Sequence, residues 1–470
     1  METKLFADPI GRRFKLEDPL IKGIYATPEI QRLKFIRQLG LVPIKYPGAM
    51  HSKFEHCIGR LEIVRELIDL LTGRGNFIAD GTDDQLDLLD VDRLALEVAS
   101  FMKGFEIGPF AMVFENAIER LQRDGGGFKR VNTFEDTFGK FSGKDKLDDH
   151  GVKDLVRSII RPREKDDIEV AAAKAYMEAR GLDYRKIEKI RLLLFGPLGA
   201  ARLDFIKRDS SYTGVPIGRF STHYLRGLQI KWHKELDKPY FVLPENAVPM
   251  VESLYASRFI MYFNVYYAPE IRVAESMLGA AIYLLIKEAN QRVESLRTLN
   301  DFQLTSLLRT YFSTGGGLEA AEPLIGYESA RLFEPIFFLR TDILHPYYRG
   351  TLKKWANELD ELERQIWKAH GPGSILVDYR IPRTSLMEKM ISVSADEEDD
   401  VPLEDYSPAI REMLKKENTL HILGVYIKPD LARTLPSDIS EGLKDILGKV
   451  IKERGQEASN HIKRESSIWR

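Results

Sequence analysis

The stretch HSKFEHCIGRLEIVRELIDLLT, residues 51 to 72, constrains the fold of this chain more than any other. At about 100° per residue, Phe54, Cys57, Leu61, Val64, Ile68 and Leu71 share one apolar arc, and Glu55, Glu62, Glu66 and Asp69 fall opposite. That pattern is an amphipathic helix. The same period recurs near residues 28–39, 89–103, 109–123, 168–194, 246–292 and 352–369, so the expected fold is mainly α. Strand signals are few: LQIKWHKELDKPYFVL (228–243) alternates around a Leu-Asp turn like a hairpin, and SILVDYRI and HILGVYI are short β-rich runs. Within the first helix, His56 projects with Ile63 and Leu67 on the flank of the buried side. An inward imidazole is either a hydrogen-bonded core residue or part of a site, and the helix alone favours the core reading.

A chain of 470 residues is longer than one hydrophobic core usually serves. We expect a helical domain over 1–335, with 124–165 as an insertion or mobile segment, then an α+β unit over 336–470. The acidic run SADEEDDVPLED (394–405) reads as a solvated linker. With 69 basic and 71 acidic residues there is no global field to attract nucleic acid or an anionic membrane. Cys57, the one cysteine, excludes a disulfide framework and zinc sites built on paired cysteines, and fits a reducing cytoplasm. The start lacks the order of an export signal, and the apolar run MLGAAIYLLI (277–286) falls short of the about 20 residues that span a bilayer. A soluble, cytoplasmic protein is expected. The sequence holds no Walker loop, no dinucleotide-binding glycine pattern, no nucleophile elbow and no HExxH.

Other segments carry a more specific pattern. DPI (8–10), TPEIQRLKFIRQLG (27–40), YPGAMHSKFEH (46–56), GPFAMVFE (108–115), RLDFIKRDSSYTG (202–214) and SRFIMYFNVYYAPEIRVAESML (257–278) follow in order, then LEDYSPAIREML and VYIKPDL. In order and spacing this set resembles the HD-domain deoxynucleotide triphosphohydrolases. The resemblance implies an HD-type helical bundle with a small C-terminal α+β unit, and a divalent metal held by one His, a His-Asp pair and a later Asp. Such a cation needs lone-pair donors and an open position for water or a phosphate oxygen. His56 matches the first ligand; the His-Asp pair falls on Lys103 and Gly104, and the final Asp on Ala201. The family's assisting histidines fall on Ile107, Met112 and Phe134, while a carboxylate survives as Glu115. An ammonium has no lone pair to give, so Lys103 cannot replace a histidine ligand, and His56 is expected to be vestigial. Gly108, Pro109 and Phe110 keep the turn, with Pro109 suited to a first helical position.

The resemblance also places Gln38 and Asp209 where the family holds the sugar, Arg258 facing phosphate and Tyr266 against the sugar. Lys53 and Arg202 keep positive charge, and Phe205 keeps a ring where the family has a tyrosine. Four of these have a plain alternative: Gln38 and Tyr266 pack or cap, and Arg258 with Asp209 forms a buried pair. Three functions follow. The first is a catalytically degenerate relative that binds nucleotide or phosphate without hydrolysis, Lys103, Arg258, Lys53 and Arg202 supplying the charge, and no cofactor. The second is an active phosphohydrolase using magnesium or manganese with relocated ligands among His51, His56, Glu106, Glu115 and Asp204. The third is a scaffold subunit, with 124–165, 394–405 and the tail ending in Trp469 as docking surfaces for a protein partner. A homo-oligomer is expected by analogy with the family.

Overall fold

The computed structural model describes residues 4–10, 12–72, 88–124, 150–161, 167–313, 316–341, 349–380, 390–395, 399–419, 421–434 and 436–444. The segment that opened the sequence reading forms helix Lys53–Thr72. It starts there because Ser52 and Glu55 form a capping box: Glu55 Oε2 accepts from the Ser52 amide at 2.6 Å, and the Glu55 amide donates to Ser52 Oγ at 3.2 Å. Glu55, expected on the solvent face, is therefore spent on the cap, and its other oxygen accepts from the Tyr212 hydroxyl. Phe54, Cys57, Leu61, Val64, Ile68 and Leu71 are all buried as the period requires, and Ile58, Arg60, Ile63 and Leu67 are buried too.

In chain order the principal helices are α1 (Pro19–Tyr25), α2 (Pro28–Arg32), α3 (Lys53–Thr72), α4 (Asp90–Met102), α5 (Met112–Arg123) and α6 (His150–Ile160). They continue as α7 (Asp167–Glu178), α8 (Tyr184–Phe195), α9 (Ala200–Thr213), α10 (Val248–Met261) and α11 (Pro269–Lys287). After these come α12 (Val293–Arg297), α13 (Asp301–Ser313), α14 (Arg349–His370) and α15 (Pro408–Thr419). The mainly α expectation holds. One apolar core gathers α1 to α4, α6 and α8 to α10, and a second gathers α5, α11 and α13.

Where the boundaries differ from the periodic pattern, local chemistry explains them. The 28–39 segment is helical only to Arg32 and then tightens into the 3₁₀ turn Leu33–Phe35. The expected 168–194 helix divides at Gly181, whose φ of +66° a helix cannot carry. The expected 246–292 helix widens into a π-turn at Tyr262–Tyr266 and restarts at Pro269, which has no amide to continue a ladder. Pro109 does not begin a helix, because Phe110 and Ala111 have φ of +56° and +51° and α5 starts only at Met112. Of the expected 124–165 insertion, residues 125–149 and 162–165 lie outside the described residues, whereas α6 is an integral core helix with Val152, Leu155, Val156 and Ile159 buried. Phe134 and Trp469 also lie outside.

The strands are β1 (Lys4–Asp8), β2 (Arg12–Leu16), β3 (Gln229–His233), β4 (Lys238–Leu243), β5 (Glu334–Thr341), β6 (Ile375–Arg380), β7 (Ile391–Ala395), β8 (Asp399–Pro402) and β9 (His421–Ile427). The β1-β2 hairpin stands alone, β3-β4-β7-β8 form one sheet, and β5-β9-β6 form another with β9 central. The predicted hairpin is β3-β4, turning at Asp237 with φ of +49°. Of the expected 394–405 linker, 396–398 lie outside the described residues, and the flanking residues are not a linker: β7 pairs in parallel with β4 and antiparallel with β8. Asp400 there accepts from Lys231 Nζ at 2.9 Å and from the Tyr240 hydroxyl at 2.9 Å. The acidic run can enter the sheet because Asp400 on β8 meets donors that reach it from β3 and β4. Among the described residues no helix is long and apolar enough to cross a membrane.

Candidate functional site

The site lies where α3 crosses α9 and the end of α4. Asp204 and Arg208, one turn apart on α9, face His56 and Gly59 on α3. His56 Nδ1 donates to Asp204 Oδ2 at 2.7 Å. Arg208 bonds Asp204 through Nε at 3.0 Å and Nη2 at 2.9 Å, and bonds both oxygens of Asp8 on β1 at 2.9 and 2.7 Å. Asp8, Asp204, Arg208 and His56 are all buried. Burial opposes ionisation of Asp204, yet Arg208 and His56 hold its carboxyl well below the usual range. Burial similarly opposes the Arg208 charge, and the two carboxylates raise its pKa. His56 goes the other way, pushed down to about 3 by burial, so its ring is neutral with the proton on Nδ1.

Helices can approach this closely only over a glycine. A Cβ at Gly59 would lie 1.9 Å from Asp204 Oδ1 and 2.1 Å from Arg208 Nη2. Gly59→Ala is therefore expected to lower stability in urea unfolding by about 2 kcal/mol or more, an overpacking cost inside an ion pair. Gly23→Ala, where nothing stands within 4 Å of the new methyl, should be neutral or slightly stabilising.

An imidazole that donates from one nitrogen to a carboxylate has the arrangement of a metal ligand, with the other nitrogen aimed at the ion. Here the other nitrogen, Nε2, faces Arg60 Nη1 at 3.5 Å. Arg60 is buried and donates to the carbonyls of Ser100, at 2.6 Å, and Lys103 at the C-terminal end of α4. Those carbonyls form the negative end of the helix dipole, which suits a guanidinium. The sequence reading missed Arg60, although an arginine four residues after an inward histidine lies on the same face.

The other expected metal positions do not converge. Lys103 presents its carbonyl to Arg60, and its ammonium lies 5.1 Å from the Phe195 ring centroid. Gly104 has φ of +94° and Ala201 offers no donor. Ile107 is a half-buried packing residue, and Met112 is 58 % exposed. Glu115 is held by Arg297 at 2.6 Å and accepts from the Gly108 amide at 3.1 Å, fixing the turn before α5. Asp301 fixes the same turn, accepting from Phe110 at 2.6 Å and from Arg37 at 3.0 Å, and burial pushes its pKa up to about 6. Among the described residues no group of three or more His, Cys, Asp or Glu could hold a metal ion. This donor set does not fit a divalent cation: one lone pair faces a guanidinium, and Asp204 and Glu115 are committed to arginines.

The predicted substrate positions gather in part. Asp209 accepts from His51 Nε2 at 2.9 Å and from the Tyr266 hydroxyl at 2.5 Å. The π-turn turns Tyr266 to face α9, and burial with Asp209 beside it raises its pKa well above the ordinary value. Arg258 is close enough to Tyr266 to oppose that shift, and its guanidinium lies 5.7 Å from the Tyr262 ring. The Gln38 amide donates to the His51 carbonyl at 3.0 Å. Among the described residues, Gln38 Oε1 and His51 Nδ1 are buried with no hydrogen-bond partner. Lys53 is half-buried at the start of α3, feeling both Asp204 and Asp209. Arg202 is half-buried on α9, and Phe205, half-buried two residues before Lys207, packs on the core. The polar signal for Gln38, Asp209 and Tyr266 was present in the sequence; His51, which ties them together, was read only as a spare ligand.

Residues 233–451 match the family described as the HD associated region. The chain is 30% identical over 283 residues to the uncharacterized protein YwfO of Bacillus subtilis, covering 60% of this chain and 56% of that protein. It is 30% identical over 146 residues to the deoxynucleoside triphosphate triphosphohydrolase SAMHD1 of Gallus gallus, covering 31% of this chain and 22% of that one. The chain therefore spans little more than half of the first relative's length and about a fifth of the second's. A solved phosphohydrolase of Bacteroides thetaiotaomicron has the same fold, with a TM-score of 0.60 at 17% identity over 91% of this chain and 100% of that one. These relatives, the associated region and the shared fold support an HD-domain, deoxynucleotide triphosphohydrolase-like superfamily as what this chain is similar to.

Proposed function

We propose that this protein is a phosphohydrolase-fold pseudoenzyme that binds a nucleotide or phosphate ester without hydrolysing it. The observation that carries the reading is the pair of buried, partnerless acceptors, Gln38 Oε1 and His51 Nδ1, beside the prearranged Asp209–Tyr266 bond. Leaving a buried polar group unsatisfied costs about 1–3 kcal/mol, and a sugar hydroxyl that donates to it recovers that cost on binding. Among the described residues nothing beside His56 supplies a metal-bound or base-activated water, which supports binding without hydrolysis. His56 Nε2 faces a guanidinium, and the nearest carboxylate is bonded to Arg208.

Calorimetric titration of the full chain with deoxynucleoside triphosphates, followed by chromatography of the mixture, tests this. Binding with no product is expected, and Gln38→Ala or Asp209→Ala should weaken it by about tenfold or more. Steady release of triphosphate, or no heat with any nucleotide, overturns the reading.

A further inference from the structure

Gly104 follows the last turn of α4 with a φ that side chains rarely adopt, and the space its missing Cβ leaves is taken by Lys53. A Cβ at Gly104 would stand 3.0 Å from Lys53 Cε and 3.8 Å from Nζ. The lysine stem thus lies over the glycine. Among the described residues the Lys53 ammonium has no hydrogen bond or ion pair, although it is half-buried. Burial pushes its pKa down to about 8, with Arg60 acting in the same sense against the opposite pull of Cys57, Asp209 and Asp204, so a ligand anion brought into contact with the ammonium stabilises its charge. Arg60, fixed against His56 Nε2 by the α4 carbonyls, is a second immovable cation in the same neighbourhood.

We infer that Lys53, with Arg60 behind it, is a metal-free anion site for the phosphate chain of a polyphosphate or phosphate ester, that Gly104 is its positioning residue, and that divalent cations oppose binding. This rests on the reading above that the protein binds a phosphate ligand. The sign follows from charge. A magnesium ion on a polyphosphate cancels two of the negative charges that attract Lys53, and it brings a dication toward two fixed cations. In a metal-assisted site the same ion would strengthen binding, so the two cases predict opposite responses.

The test is calorimetric titration of the full chain with inorganic tripolyphosphate, in EDTA and again with magnesium in excess over the ligand. Binding in EDTA is expected, weakened at least about fivefold by magnesium, and by about tenfold in Gly104→Ala, where the new methyl displaces the lysine stem. Lys53→Gln leaves the backbone untouched and should weaken binding at least as much, with an unchanged melting curve; it carries the test if Gly104→Ala melts early. Binding that requires magnesium, or that Lys53→Gln leaves intact, overturns the inference while the ligand-binding reading stands. Silence with tripolyphosphate while a nucleotide binds also overturns it, whereas silence with both removes the reading on which it rests.

Discussion

Arg208→Met is expected to cost the fold about 3–5 kcal/mol, the largest loss from any single substitution at this centre. Methionine fills much of the volume but leaves Asp8 and Asp204, both buried, without the guanidinium that bonds all four of their oxygens. The two carboxylates must then take up protons or draw in water. Because Asp8 lies on β1 and Asp204 on α9, the loss also releases the β1-β2 hairpin from the bundle. Urea unfolding followed by circular dichroism reads the effect as a lower midpoint. Adding Asp8→Asn and Asp204→Asn to Arg208→Met should recover part of it, since removing a whole buried ion set costs far less than removing one partner. A midpoint unmoved by Arg208→Met would mean that the ion chain contributes no net stability.

The second large effect is a loss of stability in acid traceable to His56. Its folded pKa of about 3 lies below the value near 6.5 that it takes in an unfolded chain, with burial the main cause. Between those values the unfolded state binds the extra proton, so stability falls as pH drops below about 6.5, by about 1.4 kcal/mol per unit. By about pH 4 the loss from this one group is about 3 kcal/mol. Asp204, held low by Arg208 and His56 against its burial, adds its own loss only below its unfolded value of 3.8. The pH slope of unfolding free energy measured between about pH 4.5 and pH 6 should shrink by about one proton in His56→Gln. An equal slope in both proteins would show that the imidazole is not held neutral by the fold.

How much of this was legible in the sequence depended on whether the cause was local. The apolar arc of residues 54–71 placed α3 correctly because every position along it answers to the same buried side. The 228–243 hairpin was equally readable, its alternation and turn lying within sixteen neighbouring residues. Strand β5 was not, since its partner β9 lies far along the chain, and β7 and β8 were not, since their charges misread as solvent exposure, as with Asp400. In the site, Lys103, Gly104 and Ala201 could be read position by position only as residues without a metal-donor side chain. The contacts that surround them were not. Lys103 is drawn to the Phe195 ring, Arg60 takes the place beside His56, and Asp204 is committed to an arginine that contacts a residue 200 positions away. Long-range ion pairs of that kind leave no period for a sequence to carry.

The central claim is that cations of the chain itself, Arg60 and Lys53, stand where a divalent ion would have to be held. Its most direct test is the manganese content of the full chain after incubation with excess manganese and gel filtration. The account predicts far less than one ion per chain, with no difference between the wild type and His56→Ala. One tightly retained manganese per chain, lost in His56→Ala, would contradict it.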